Sequence, residues 1–100
     1  MANTPENRVK NAVRKILEAN GVYYFMPSTG GYGRSGIPDI IACVNGQFLA
    51  IECKAIGKHP TALQERELAR IDYAGGKTLV ITGTHDAQRV EAWLKLFRTK

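Results

Sequence analysis

Asp39, Glu52 and Lys54 are the residues of this sequence whose types and spacing could do chemistry. An Asn-Gly dipeptide at positions 45–46 separates two apolar runs, which is the strongest short-range signal for a β-hairpin with a two-residue turn. The register of that hairpin places Asp39 directly opposite Glu52, on one face and with β-carbons about 4.5–5.5 Å apart. Lys54 follows Glu52 by two residues and shares this face. Two carboxylates and one ammonium are therefore predicted to converge.

Such a cluster predicts a centre for a divalent cation. Like charges that face each other across a sheet are destabilising unless something neutralises them. Mg2+ is held by one or two carboxylates together with water and substrate phosphate, so it fits this pair. The alternative is that Asp39 is solvated and that Glu52 and Lys54 lie on an exposed strand edge. Against it, residues 48–51 are apolar on both faces, which is typical of a central strand.

Periodicity and turn residues predict the elements that position this cluster. Helices are predicted from Pro5 to the Asn-Gly at 20–21, from Thr61 to the Gly-Gly at 75–76 and over residues 86–98. Strands are predicted over residues 22–26, 39–44, 47–55 and 77–82. The order α-β-β-β-α-β-α predicts an α/β fold in which helices flank a mixed β-sheet.

The composition indicates one domain, residues 1–100, with a polyanionic partner. Fourteen Lys and Arg against nine Asp and Glu give a formal net charge of +5, which favours nucleic acid. The sequence has neither an apolar run long enough for a membrane span nor a secretion signal, so we expect a cytoplasmic protein without membrane contact. Cys43 and Cys53 are too few for a zinc site and fall on opposite sheet faces by parity, which indicates free thiols.

The same motif residues carry a resemblance to a known family. Gly-Ile-Pro-Asp at 36–39, a gap of twelve residues and Glu-Cys-Lys at 52–54 resemble the PD-(D/E)XK nuclease motif. The element order is similar to the restriction-endonuclease-like core of that superfamily, and nearly the whole chain resembles a stand-alone VRR-NUC domain of phages and bacteria. The resemblance implies a Mg2+-dependent deoxyribonuclease, with Mn2+ able to substitute, inside a bacterium or a phage-infected host.

The resemblance also implies the roles of individual residues. Asp39 and Glu52 bind the metal together with the main-chain carbonyl of Cys53. Lys54 positions the attacking water or steadies charge on the phosphate. Glu6, on the inward face of the first helix, completes the site, although an acidic residue in a first turn also complements the helix dipole.

Gln64 has two competing interpretations. It resembles a glutamine that follows the catalytic strand in VRR-NUC domains, which implies a catalytic role. It also completes a Thr-x-x-Gln capping box with Thr61, in which its side chain bonds back to the helix cap. The sequence leaves both roles open.

Basic residues and a glycine-rich loop are the predicted DNA contacts. They are Arg8, Lys10, Arg14 and Lys15 on the first helix, Tyr32, Arg34 and Ser35 in the loop before Asp39, and Lys58. The loop matches no nucleotide-binding fingerprint, and a plain flexible loop is the alternative.

The predicted activity is hydrolysis of phosphodiester bonds in DNA, with no small-molecule cofactor. The resemblance implies branched DNA such as four-way junctions, cut by a homodimer in DNA repair or recombination. The predicted dimer contact is the last helix, where Trp93 and Leu96 lie off the stripe that covers the sheet. The alternatives are a non-catalytic nucleic-acid-binding module of the same fold and a nuclease that trims flaps or single strands.

Overall fold

A computed structural model describes residues 3–28 and 35–98 of the protein. Helices and strands follow one another there in the predicted order: α1 (Pro5–Ala19), β1 (Tyr23–Phe25), β2 (Ile40–Val44), β3 (Gln47–Lys54), α2 (Ala62–Tyr73), β4 (Lys77–Thr82) and α3 (Gln88–Arg98). A short 3-10 turn at His85–Ala87 leads into α3.

The strands form one sheet in the order β1-β2-β3-β4. β1, β2 and β3 are antiparallel neighbours, whereas β4 lies parallel to β3, which confirms the mixed sheet. Asn45 and Gly46 have positive φ angles of 51° and 81°, as a type I′ hairpin turn requires. Val44 therefore pairs with Gln47, and the predicted hairpin register is confirmed.

α1 and α3 cover one face of this sheet and form the core with it. Their apolar residues recur at helical spacing and meet alternate residues of the strands. The buried core includes Val9, Val13, Leu17, Ile40, Ala42, Val44, Leu49, Ile51, Cys53, Ile81, Val90 and Leu94. Because the odd-numbered residues of β3 fill this core, the even-numbered ones point to the opposite face.

α2 packs over that opposite face and contacts β4. Phe48, Glu52 and Lys54 lie on this face by strand alternation. Gly36, in the segment before β2, approaches the start of α2 so closely that a Cβ would lie 2.4 Å from the carbonyl oxygen of Leu63. The fold thus brings the segment that leads into the hairpin against the first turn of α2.

The start of the last helix differs from the prediction of one α-helix over residues 86–98. Its first turn is 3-10 and the α-helix begins at Gln88, because Asp86 turns towards β4. The Asp86 carboxylate accepts a hydrogen bond from Arg89 at 2.8 Å and another from the N–H of Thr82 at 2.9 Å. The bond from Arg89, followed by that from Thr82, lowers the pKa of Asp86. Arg89 also donates to the carbonyl of Val80. These bonds satisfy backbone groups of β4, which is an edge strand.

No helix within residues 3–28 and 35–98 has the length and apolar character that a membrane span requires. Cys43 is exposed, Cys53 is buried, and both are free thiols, as the strand parity predicts.

Candidate active site

Asp39 lies one residue before β2, and its side chain makes a further contact with β3 beyond the paired backbone. Its Oδ2 accepts the backbone N–H of Cys53 at 2.8 Å. This bond holds the carboxylate against β3 at the level of Glu52, where the register Ile40↔Ile51 places it. The strand begins at Ile40 rather than at Asp39, because a side chain and not the backbone makes this last contact with β3.

Glu52 is a carboxylate inside the protein, with only 1% of the residue exposed. Neither of its oxygens has a hydrogen-bond partner among the described residues. The Nζ of Lys54 lies 3.8 Å from Oε2, within reach of an ion pair. Burial, followed by the negative charge of Asp39, raises the pKa of Glu52 to about 7 in spite of Lys54. A bound cation would satisfy such a carboxylate.

Lys10 also belongs to this site, although the sequence predicts it to be a DNA contact. Its Nζ lies 3.5 Å from Oδ1 of Asp39 and 4.0 Å from Oε2 of Glu6. Glu6 and Lys10 are four residues apart on α1, a spacing that could have placed both at the site. The Glu6 side chain is 39% exposed, so it lies at the rim and does not point fully inward as expected.

The donor set fits a divalent cation held mainly by two carboxylates. Asp39 and Glu52 supply the hard oxygen ligands that Mg2+ and Mn2+ prefer. Across residues 3–28 and 35–98, no three acidic, histidine or cysteine side chains are grouped closely enough to hold a metal by themselves. The structure therefore does not gather Glu6 with the pair as a third ligand. The ligand roles of Glu6 and of the Cys53 carbonyl stay predictions.

Gln64 takes part in the capping box. Its Oε1 accepts the N–H of Thr61 at 2.8 Å, and its own N–H donates to Oγ1 of Thr61 at 3.2 Å. The capping interpretation is thus confirmed. The catalytic role stays a prediction, with the side-chain oxygen engaged at the helix start.

Two of the predicted DNA contacts line one groove of about 370 Å3. Among the described residues, its cations are Arg8 and Lys58, and the others that line it are Pro5, Val9, Ala55, Ile56, Gly83 and Thr84. None of these lining residues is acidic. The groove adjoins the site, because Gly83 donates its N–H to the carbonyl of Lys54 at 2.8 Å where β3 and β4 end.

The other predicted contacts are scattered. The Arg14 guanidinium donates to the hydroxyl of Tyr24 and to the side chain of Asn11, both at 3.2 Å, so it links α1 to β1. Lys15 and Ser35 are exposed. Tyr32 and Arg34 lie outside the described residues.

Sequence comparisons identify relatives of this chain. Residues 6–88 match the family model described as archaeal Holliday junction resolvase (Hjc). A protein of Acyrthosiphon pisum secondary endosymbiont phage 1, named "Putative nuclease p44", is 34% identical over 82 residues. The match covers 81% of this chain and 84% of the phage protein.

Two solved structures share the fold. A VRR_NUC domain superposes with a TM-score of 0.76 at 25% identity and covers 89% of this chain and 96% of its own. A VRR_NUC domain protein superposes with a TM-score of 0.72 at 16% identity and covers 96% of this chain and 93% of its own. Both likenesses confirm the predicted α/β architecture of a mixed sheet flanked by helices.

Proposed function

Because this chain belongs to the archaeal Holliday junction resolvase (Hjc) family of nucleases, we propose that it is a Mg2+-dependent endonuclease that cuts branched DNA. Its fold is that of VRR-NUC domains in the PD-(D/E)XK superfamily. One observation carries the proposed metal dependence. The buried carboxylate of Glu52 faces the Asp39 side and has no hydrogen-bond partner among the described residues.

In the proposed mechanism, side chains on one sheet face prepare a phosphodiester for attack by water. Asp39 and Glu52 would hold Mg2+, or Mn2+ in its place, through their carboxylate oxygens. An ion held there would supply a lowered pKa for the attacking water and positive charge beside the phosphate. Lys54, with Nζ 3.8 Å from Glu52, places an ammonium where negative charge builds on the phosphate oxygens. The N–H of Cys53 keeps Asp39 oriented at the site.

The basic groove beside the site supports a DNA strand as the substrate. Arg8 and Lys58 give its lining positive charge, and Val9, Ala55 and Ile56 give it apolar surface. Cations in this arrangement bind phosphates without regard to sequence. The net charge of +5 has the same sign as this groove. We expect the protein to act on DNA inside the cell that makes it.

Branched DNA and a homodimer are the finer part of the proposal. The family description names a Holliday junction resolvase. A four-way junction needs two symmetric cuts, and each chain of residues 1–100, taken as one domain, offers one centre. A twofold dimer supplies the second centre.

Cleavage of a panel of DNA structures tests the proposal. Wild-type protein, Glu52→Gln and Glu65→Gln are incubated with duplex, nicked, flap, splayed-arm and four-way DNA, with Mg2+ or Mn2+. Glu65 is an exposed acid on α2 and serves as the matched control. We expect wild type and Glu65→Gln to cut the four-way junction. Glu52→Gln should lose cleavage by about 100-fold or more and still bind DNA.

The same panel separates the rival functions. Cleavage confined to flaps or single strands would identify a trimming nuclease. Binding by the wild type without any metal-dependent cleavage would identify a non-catalytic module. Wild-type rates for Glu52→Gln would remove this residue from the active centre.

A further inference from the structure

Both oxygens of Asp39 are engaged by groups of the protein itself. Oδ2 accepts the N–H of Cys53 at 2.8 Å, and Oδ1 faces the Nζ of Lys10 at 3.5 Å. Lys10 lies 4.0 Å from Glu6 as well, so one ammonium is shared by two acidic side chains. A metal ion that binds Asp39 is therefore repelled by the ammonium of Lys10, which already pairs with this carboxylate.

The charges around the site explain why Lys10 lies beside Asp39. The carboxylates of Glu6, Asp39 and Glu52 are close enough to influence one another, and Lys10 and Lys54 oppose them. The side chains of Lys10 and Asp39 are only 24% and 17% exposed, so water and salt screen this pair less than a surface pair. Lys10 thus acts as a counter-ion inside the acidic cluster.

We propose that Lys10 is the counter-ion of the metal site and couples metal binding to DNA binding. This inference rests on the proposed metal site. In the metal-free protein, Lys10 neutralises and positions Asp39. Because an ammonium and a divalent cation on one carboxylate repel each other, Lys10 leaves Asp39 when a cation binds. Its long, flexible side chain can then turn outward and pair with a phosphate of DNA.

The coupling acts in both directions. A DNA phosphate that draws Lys10 away leaves Asp39 more negative, which strengthens cation binding. Thermodynamic linkage requires that the cation strengthen DNA binding by the same factor. Lys10 therefore positions Asp39 in the metal-free protein and contacts a DNA phosphate when metal and DNA are bound. Both its ion pair with Asp39 and the DNA-binding role predicted from the sequence are thus explained.

Metal affinity without DNA is the first test. Mn2+ binding is measured by isothermal titration calorimetry for wild type, Lys10→Met and Lys77→Met. Lys77 is exposed at the start of β4, away from the end that carries the site, and its loss removes the same charge from the molecule. We expect Lys10→Met to bind Mn2+ about tenfold tighter, the size of a typical coupling between neighbouring sites. Lys77→Met should match the wild type. Equal or weaker binding by Lys10→Met would overturn the inference.

The second test measures the coupling itself. Ca2+ affinity is measured with and without a four-way DNA junction, whose integrity is checked on a gel afterwards. DNA should tighten Ca2+ binding by a larger factor in the wild type than in Lys10→Met. An equal factor in both proteins would show that Lys10 does not couple the two ligands. Where Lys10→Met unfolds, Lys10→Gln replaces it, and the same direction of change is expected.

Failure of the proposed function and failure of this inference alone give different binding results. If the wild type and Lys10→Met both bind no Mn2+, the protein has no metal site, and the proposed function and this inference fall together. If the wild type binds Mn2+, Glu52→Gln does not, and Lys10→Met binds like the wild type, the function stands and only the inference falls.

Discussion

Glu52 combines near-complete burial with two carboxylate oxygens that have no hydrogen-bond partner among the described residues. An ion held in this way costs several kcal/mol unless a proton or a cation compensates it, on the order found for buried charges in general. Lys54 compensates it only in part, since burial still raises the pKa of Glu52 to about 7. A buried carboxylate with a raised pKa beside a second carboxylate is typical of a functional site.

The metal-free protein should gain stability as the pH falls from about 7 towards 4.5. The pKa of Glu52 is about 7 in the folded protein against an ordinary 4.5, so in this window the folded state binds more protons than the unfolded state. Acid therefore favours folding through this residue, and the penalty of its charge is complete above the folded pKa. Urea unfolding between about pH 5 and pH 8 in the presence of a chelator measures the effect.

Glu52→Gln is the reference for that measurement, because its amide does not titrate. The advantage of Glu52→Gln over the wild type in the free energy of unfolding should grow with pH and level off above the folded pKa. A difference that stays constant over the whole range would contradict the buried, ionisable Glu52.

At the scale of elements, Gly36 connects the hairpin to α2. Its φ of 83° lies in the left-handed region, and a Cβ there would lie 2.4 Å from the carbonyl oxygen of Leu63. Any other residue at this position must therefore strain the backbone and push the segment away from α2. Asp39 follows three residues later, so this close approach helps to set where its carboxylate lies.

Gly36→Ala should destabilise the protein by about 2–4 kcal/mol, the sum of backbone strain and overpacking. Gly57→Ala is the matched control, because Gly57 has a φ of 87° but a Cβ added there would meet nothing within 4 Å. This control should cost only about 1 kcal/mol, from the backbone conformation alone. Thermal unfolding measures both. If the two variants lose the same stability, the contact with Leu63 is unimportant.

At the scale of the molecule, positive charge should govern DNA affinity. Arg8→Ala and Lys58→Ala, which remove the cations of the groove, should each weaken binding on all sequences alike. Each should also flatten the slope of log affinity against log salt by about one unit, since one phosphate contact is lost. Fluorescence anisotropy over a range of salt concentrations measures this, with Lys77→Ala as the control. Slopes that all equal the wild type would show that the groove does not bind phosphate.

We also predict a homodimer. Sedimentation equilibrium at micromolar concentration with Mg2+ should give twice the chain mass of 11.0 kDa, because symmetric cuts in a junction need two centres. A mass equal to one chain would exclude the dimer under these conditions.

The structure distinguishes between the two residues predicted for a dimer contact on the last helix. Trp93 stacks on Phe97 with ring centroids 4.9 Å apart, and both pack against the core of their own chain. Leu96 is 80% exposed, so Leu96→Glu tests an α3 interface without disturbing that core. Tyr23→Glu is the comparison, since Tyr23 is exposed on the opposite sheet face. If only Tyr23→Glu weakens the dimer, the interface lies on the sheet and not on α3.

Local signals in the sequence determined most of this fold. The Asn-Gly turn and strand alternation were enough for the hairpin register, and hence for placing Asp39 opposite Glu52, because pairing through a two-residue turn depends on neighbours in the chain. Caps and apolar periodicity were enough for the order of helices and strands. The nuclease motif followed from the same residues.

Contacts between distant segments decided the rest. The sequence shows that Glu52 lies on a strand, but only the tertiary packing around that strand leaves its oxygens buried without partners among the described residues. In the sequence, Lys10 is one of several basic residues on α1. Only the placement of α1 beside the hairpin brings its Nζ to Asp39. Such contacts depend on how elements pack in three dimensions, so no pattern along the chain could reveal that a counter-ion lies beside the predicted metal ligands.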